Sequence, residues 1–366
     1  MEANTQFRNV FNIEVCNELS ERIHAVYPDF DRKKFLKIIA LNFETLTFSE
    51  RNLRICDALK ETLPEKFEQA VEVLLNSQTG ELEVEELEGF RGFIVMPQAT
   101  YISSYGMENV DLSLMALEEM TKRFTSEFAI RYFIRSYPEK TFKQIKKWAV
   151  AENCHVRRLA SEGTRPRLPW GMRLTEFIDN PEPVLKILDI MKFSPERLVQ
   201  RSIANNLNDI AKDNPGHVTE ILKRWQREGV SNWLITHSLR TLFKQGNPEA
   251  LELCGYNPEA EVSILDFSLT TPQVEFGTHV EFSIELVCKN SEKLMIDYVI
   301  HHMKANGSLS PKVFKLAKKS VSGHLKLSKK HSMRSLTTRK YYPGRHMLQI
   351  QVNGRILAEQ EFTLKM

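Results

Sequence analysis

The spacing of apolar residues changes abruptly near residues 255–258 (GYNP). Before this point apolar side chains recur with the roughly 3.6-residue period of a helix; after it they alternate with polar ones, the period of about 2 that a strand requires. One packed layer cannot satisfy both periods, so each part needs a core of its own. The chain is therefore expected to combine a helical domain over 1–258 with a β domain over 262–366. Its 366 residues suit two or three such domains.

In the helical part, Phe35, Ile38, Ile39 and Phe43 make one apolar face, and Leu53, Ile55, Cys56 and Leu59 another. Residues 81–88 (ELEVEELE) read as a solvated helix face or loop, and residues 89–105 as helical or mixed, with Pro97 opposing regularity. From Asp111, a candidate N-cap, the helices become regular: 126–134, 138–150 with Pro in its first turn, 153–160, 184–191, 195–211, 215–227 and 233–243. Many short helices joined by Pro- or Gly-marked turns predict stacked hairpins of a HEAT-like solenoid. No strict period is present, so an irregular bundle is the alternative.

The β part holds about seven short alternating runs: from 262, 279–287, 294–301, 312–316, 324–327, 346–352 and 356–364. Asn353-Gly354 is a hairpin turn between the last two. Seven strands in roughly 100 residues predict an immunoglobulin-like sandwich, although the Cys…Trp…Cys core of antibody domains is missing.

Charge separates the two parts further. Residues 262–366 carry 16 Lys and Arg against 8 Asp and Glu, a net +8, while the remainder carries 34 against 39, a net −5. A basic tail on an acidic body points to a polyanionic partner, with solubility as the plainer explanation. The five cysteines are far apart and form no CxxC pair, so neither a disulfide framework nor a zinc site is expected. No apolar run is long enough to span a bilayer and no secretory leader is visible, which predicts a cytoplasmic protein. No nucleotide-binding or serine-hydrolase motif appears, and no cofactor is implied.

The stretch most suggestive of chemistry is 153–170. A helix carrying Val156, Leu159 and Ala160 is stopped by Gly163, and Pro166 and Pro169 force an extended path to Trp170. Arg157, Arg158, Arg165, Arg167, Glu162 and Trp170 lie within it. A solvated basic loop is the plain reading; a site that holds phosphates and offers an aromatic face needs the same residue types. The string SEGTRPRLPW at 161–170, preceded by RRLA, resembles the core motif of the AlkC and AlkD type DNA-alkylation-repair glycosylases, AlkC more closely. The resemblance extends over the chain, including residues 341–346 (YYPGRH) before a late strand.

That resemblance implies a monofunctional glycosylase that excises small cationic N3-alkyl bases, 3-methyladenine and 3-methylcytosine, from duplex DNA without deep base flipping. The partner is alkylated double-stranded DNA in the bacterial cytoplasm, with no membrane and no obligate protein partner. Glu127 lies in SEFAIR at 126–131, where Glu127 and Arg131, four apart, would share a helix face; a surface ion pair is the plain reading. Glu127 matches the family's catalytic carboxylate, with Glu162, Asp209 and Trp170 as further catalytic candidates. Asn205, Asn208 and Asp209 share one face of the helix 202–212, which the resemblance turns toward DNA. AlkD members carry an aromatic residue near Asn205, so an AlkD-type aromatic cradle is not expected. Lys318, Lys319, Lys329 and Lys330 give the tail its phosphate-binding charge. The rival readings are a non-catalytic HEAT-repeat scaffold and an RNA-binding regulator.

Overall fold

The computed structural model describes residues 7–82, 90–336 and 339–366. Most of the acidic run 81–88 lies outside the described residues. The chain forms two compact units, one of residues up to 218 with 224–238, the other of 219–223 with 239–366.

The first unit is helical, and its helices start where local chemistry permits. Thr47 and Glu50 form a reciprocal capping box at the head of Phe48–Lys60. Pro138 and Pro215 open Pro138–Trp148 and Pro215–Arg227, as expected of prolines whose missing N–H is not needed in a first turn. Residues 90–105 divide at Met96, where a 3-10 turn, Phe90–Val95, gives way to a helix, Met96–Tyr105, with Pro97 in its first turn. The helix expected from Asp111 begins one residue earlier as Val110–Thr121, and Asp111 pairs with Lys140 at 2.7 Å instead of capping. Two helix pairs repeat one device. Buried Trp148 donates its indole N–H to Glu118 at 2.6 Å, and buried Trp225 donates to Asp189 at 2.6 Å. Each ties a helix to one two helices earlier in the chain, across the intervening Ile130–Ser136 or Arg197–Ile210, as stacked helical repeats require. The single helix expected over 233–243 is broken into Asn232–Ser238 and Arg240–Gln245; Leu239, at φ −90° and ψ 7°, leaves helical geometry where the two units part.

Among the described residues the second unit contains six strands: β1 (Val262–Leu269), β2 (Gln273–Glu275), β3 (His279–Met303), β4 (Leu309–Ser332), β5 (Gly344–Val352) and β6 (Arg355–Lys365). β3 and β4 each join two of the seven expected runs, which leaves five, and β2 is a short strand that the sequence did not reveal. Residues 279–288 of β3 pair with β1 and the end of β4; residues 292–303 pair with the start of β4 and, through 296–301, with β5. The register breaks between Cys288 and Glu292, so one strand serves both halves of an immunoglobulin-like fold. Val280, Phe282, Ile284, Ile296, Tyr298, Leu348, Ile350 and Phe362 fill the core. Asn353 and Gly354, at φ 43° and 85°, make the two-residue turn from β5 to β6. The Asn353 side chain accepts from Met295 N–H at 2.8 Å and donates to the Asn257 carbonyl at 2.8 Å.

Two histidines are enclosed in this unit. Burial pushes the pKa of His302 down to about 3, helped by the nearby Arg339 charge, and burial holds His346 below its ordinary value as well. Both are neutral in the fold but take up protons when unfolded near their ordinary value of 6.5. Their stabilisation is complete above that value and is lost as pH falls below it, for His302 at about 1.4 kcal/mol per pH unit down to its folded value. Thermal unfolding followed by far-ultraviolet circular dichroism at pH 7 and pH 5 should show the loss, and His302→Gln should flatten the dependence.

Candidate active site

The helix Cys154–Glu162 starts on Asn153, whose side chain accepts from His155 and Val156 N–H groups. It stops at Gly163, as the sequence predicts, and the residue is glycine for a steric reason. Gly163 keeps right-handed geometry, φ −64°, and a Cβ there would stand 2.6 Å from the Ile130 side chain. The left-handed residue of this loop is Trp170, at φ 63°. Arg131 fixes both ends of the loop. It is fully buried, its Nη1 donates to the Gly163 carbonyl at 2.9 Å, and its Nε donates to the Met172 carbonyl at 2.7 Å.

Arg131 therefore does not serve as the expected same-face partner of Glu127. Glu127 precedes the helix Ile130–Ser136 in a turn, so the helical i to i+4 geometry does not apply. Its Oε2 accepts from the Thr125 hydroxyl at 2.8 Å and from Arg158 Nη2 at 3.1 Å, and the residue is 9% exposed. The other two carboxylates meet across Arg165, which donates to Glu162 at 2.5 Å and to Asp209 at 2.8 Å. Burial opposes the Arg165 charge, but these two carboxylates outweigh it and hold its pKa above the ordinary value. Ser202 donates to the second oxygen of Glu162 at 2.5 Å, and Lys212 reaches Asp209 at 2.8 Å.

Arg157 pairs with Glu196 at 2.5 Å, and Arg167 forms a two-pronged pair with Asp213 at 2.7 Å per prong. The buried polar row of Arg197–Ile210 is Ser202, Asn206 and Asp209; Asn205 and Asn208 are half-buried beside it. Asn206 donates to the Ser161 carbonyl at 2.7 Å and to Thr164 at 3.1 Å, tying this helix to the loop. Sequence alone does not single out Thr125, Ser202 or Asn206. Spacing distinguishes Asn206 from Asn205 only by 100° of helix rotation, roughly one residue in 3.6. In the β unit, Lys319 and Lys329 are exposed, and Lys330 lies 3.1 Å from Glu281. Lys318 turns its ammonium over Phe243 and Tyr256, at 5.1 and 5.8 Å from the ring centres.

Trp170 is 79% exposed and walls a cavity of about 390 Å³ together with Phe7, Phe48, Phe128 and Tyr132. Phe128 and Ala129, which follow Glu127 in the chain, line it too. Among the described residues no cluster of three His, Cys, Asp or Glu could hold a metal, and no helix is long and apolar enough to cross a membrane.

Residues 263–366 match the family described as uncharacterised protein YhaZ, C-terminal Ig-like domain. The chain is 34% identical over 359 residues to the uncharacterised protein YhaZ of Bacillus subtilis strain 168, covering 97% of this chain and 98% of that one. It superposes on the Pseudomonas fluorescens alkylpurine DNA glycosylase AlkC, solved bound to DNA containing an abasic site analog, with a TM-score of 0.90 and 35% identity over 98% of this chain and 99% of that one. The chain belongs to the AlkC family of DNA glycosylases. An AlkC-type body thus presents Glu127 and the Glu162–Arg165–Asp209 network on segments tied together by Arg131 and Asn206.

The two kinds of loop residue should separate in mutagenesis. Arg131→Lys cannot hold both carbonyls, and the missing buried bonds should lower stability by roughly 2–4 kcal/mol and open 163–172 to proteases. Trp170→Ala should change stability by no more than about 1 kcal/mol, because the ring is mostly in solvent. Denaturant unfolding and limited proteolysis of both variants check this.

Proposed function

We propose that this protein releases cationic N3-alkylated bases, 3-methyladenine and 3-methylcytosine, from duplex DNA and does so without deep base flipping. The full-length likeness to an alkylpurine DNA glycosylase bound to DNA carries this reading. The chemistry fits the residues present. An N3-alkylated base is already positive, so it leaves with the electron pair of the C1′–N bond and needs no general acid. The sugar left behind is oxocarbenium-like. A carboxylate fixed beforehand near C1′ stabilises that charge and orients the attacking water, whose proton it can accept.

Glu127 is the proposed carboxylate. Thr125 and Arg158 fix one of its oxygens, which limits reorganisation as charge develops. Glu162 and Asp209 share Arg165 and are proposed as supporting charges, with Asp209 the alternative water-positioning group. Trp170 adds an exposed π face for the developing cation. The arginines 157, 158, 165 and 167 are proposed to steer the flanking phosphates. Arg167, on the more open pair with Asp213, is best placed to exchange its carboxylate for a phosphate. Asn205 and Asn208 are assigned to the same DNA-facing surface. The β domain, residues 262–366, is proposed as a second clamp on the duplex.

Glu127→Gln keeps the shape and removes the charge. Single-turnover release of 3-methyladenine from methylated duplex DNA should fall by about 100-fold or more, with DNA affinity and melting temperature unchanged. A loss of only a few-fold would remove Glu127 from the chemistry. The clamp has a separate signature. Replacing Lys318, Lys319, Lys329 and Lys330 with Ala should make log affinity less steep against log salt, by about 0.9 for each phosphate that the variant no longer neutralises. An unchanged slope would assign the basic strands to another role.

A further inference from the structure

The cavity beside Trp170 shares that ring with the proposed bond-breaking step and is otherwise not used by it. Its walls are mainly apolar or aromatic, its polar lining residues are Ser49, Asn52, Thr100 and Ser103, and no charged residue lines it among those described. Trp170, Tyr132, Leu53 and Phe7 are large apolar side chains left exposed around it. Asn52, only 6% exposed, has an unmet hydrogen-bonding need. Thr100 spends its one hydroxyl proton on the Met96 carbonyl at 3.0 Å, so toward Asn52 it can only accept. The Asn52 atom 2.9 Å from Thr100 is therefore the amide nitrogen. This fixes the orientation of the carboxamide. Its oxygen is left as a buried acceptor with no partner.

We propose that this cavity holds the free nucleobase after excision, a neutral planar heterocycle whose exocyclic amino group donates to Asn52 Oδ1. The inference rests on the glycosylase reading above for the origin of the base, but not for the chemistry of its recognition. When the C1′–N bond breaks, its electron pair leaves with the base and cancels the positive charge of the N3-alkylated ring. The lesion is cationic and the product is neutral; enclosing the product leaves no unpaired charge, and among the described residues no carboxylate lines the cavity to pair with the cation. Adenine and cytosine products both carry the amino donor that the Asn52 oxygen lacks. The volume of about 390 Å³ falls within the range of small-molecule sites. Phe128 and Ala129 place the cavity next to Glu127 in the chain.

The test is calorimetric titration of the full chain, without DNA, with free 3-methyladenine and with 9-methylpurine, which has no N–H donor. The expected result is saturable binding of 3-methyladenine and at least tenfold weaker binding of 9-methylpurine. Asn52→Leu should raise the 3-methyladenine Kd about tenfold with little change in melting temperature. Tyr132→Ala, at a position 51% exposed, should weaken binding as well. Absence of binding up to the solubility limit, in a preparation that excises the base from DNA, overturns the pocket and leaves the glycosylase reading standing. Equal binding by wild type and both variants also overturns it. Binding with the expected variant effects, in a preparation that excises nothing, supports the nucleobase site and removes the glycosylase reading instead.

Discussion

The site depends on one buried cation. Arg131 is fully enclosed and donates to the carbonyls of Gly163 and Met172, ten residues of loop held at both ends by one guanidinium. Burial, together with the charge of Arg165, pulls its pKa down to about 10, so it stays charged at neutral pH. The fields of Glu127, Glu176 and Asp209 work in the opposite direction and offset part of the desolvation. The planar fork matters as much as the charge, because an ammonium cannot donate along two fixed directions to carbonyls on different turns. SEFAIR and SEGTRPRLPW therefore form a single device. The first supplies the clamp and Glu127, and the second supplies the loop that the clamp holds.

A second buried network completes the arrangement. Arg165 sits between Glu162 and Asp209, and Ser202 and Lys212 satisfy the carboxylate oxygens that Arg165 does not reach. Such a network gains little net stability, since desolvation consumes most of the Coulomb attraction. It does restrict geometry, because every member must be in place for none to be left unpaired. Asn206 extends the restriction to the backbone of Ser161. The helix Arg197–Ile210 is thus held to the loop by polar contacts at positions 202, 206 and 209, while Val199, Ile203, Leu207 and Ile210 supply buried apolar packing.

Local rules made much of the fold legible. The change of apolar period separated helices from strands, the prolines at 138 and 215 marked helix starts, and Asn353-Gly354 marked its hairpin. Each is decided within a few residues. What stayed hidden depends on neighbours far away in the chain. Gly163 is glycine because Ile130 approaches it, and nothing near residue 163 reveals that. The pairing of β3 with three strands, which makes one strand of two separate runs, is likewise set by distant partners. For the site, residue types were readable and pairings were not. Four arginines in one run looked interchangeable, yet each has a different acidic partner: Glu196, Glu127, the Glu162–Asp209 pair, and Asp213.

Trp170 shows what this rigidity is for. A non-glycine residue at φ 63° is strained, typically by about 1–2 kcal/mol, and an exposed indole recovers little of that through burial. Neither feature helps the free protein. Its contacts with Phe7 and Phe48, at 5.2 and 6.3 Å between ring centres, leave most of the ring in solvent. The loop on which it stands is clamped at Met172, two residues away, by the most deeply buried cation of the site. A strained, solvent-facing aromatic on a rigid mount is poor design for stability and good design for contact, because the cost of ordering the ring is met before the ligand arrives. The same reasoning applies to Glu127, held by a hydroxyl and a guanidinium instead of by water. In the proposed reaction neither group needs to rearrange when charge appears at the sugar. Preorganisation of this kind would let a carboxylate and a π face act electrostatically on the sugar while a base that needs no acid departs.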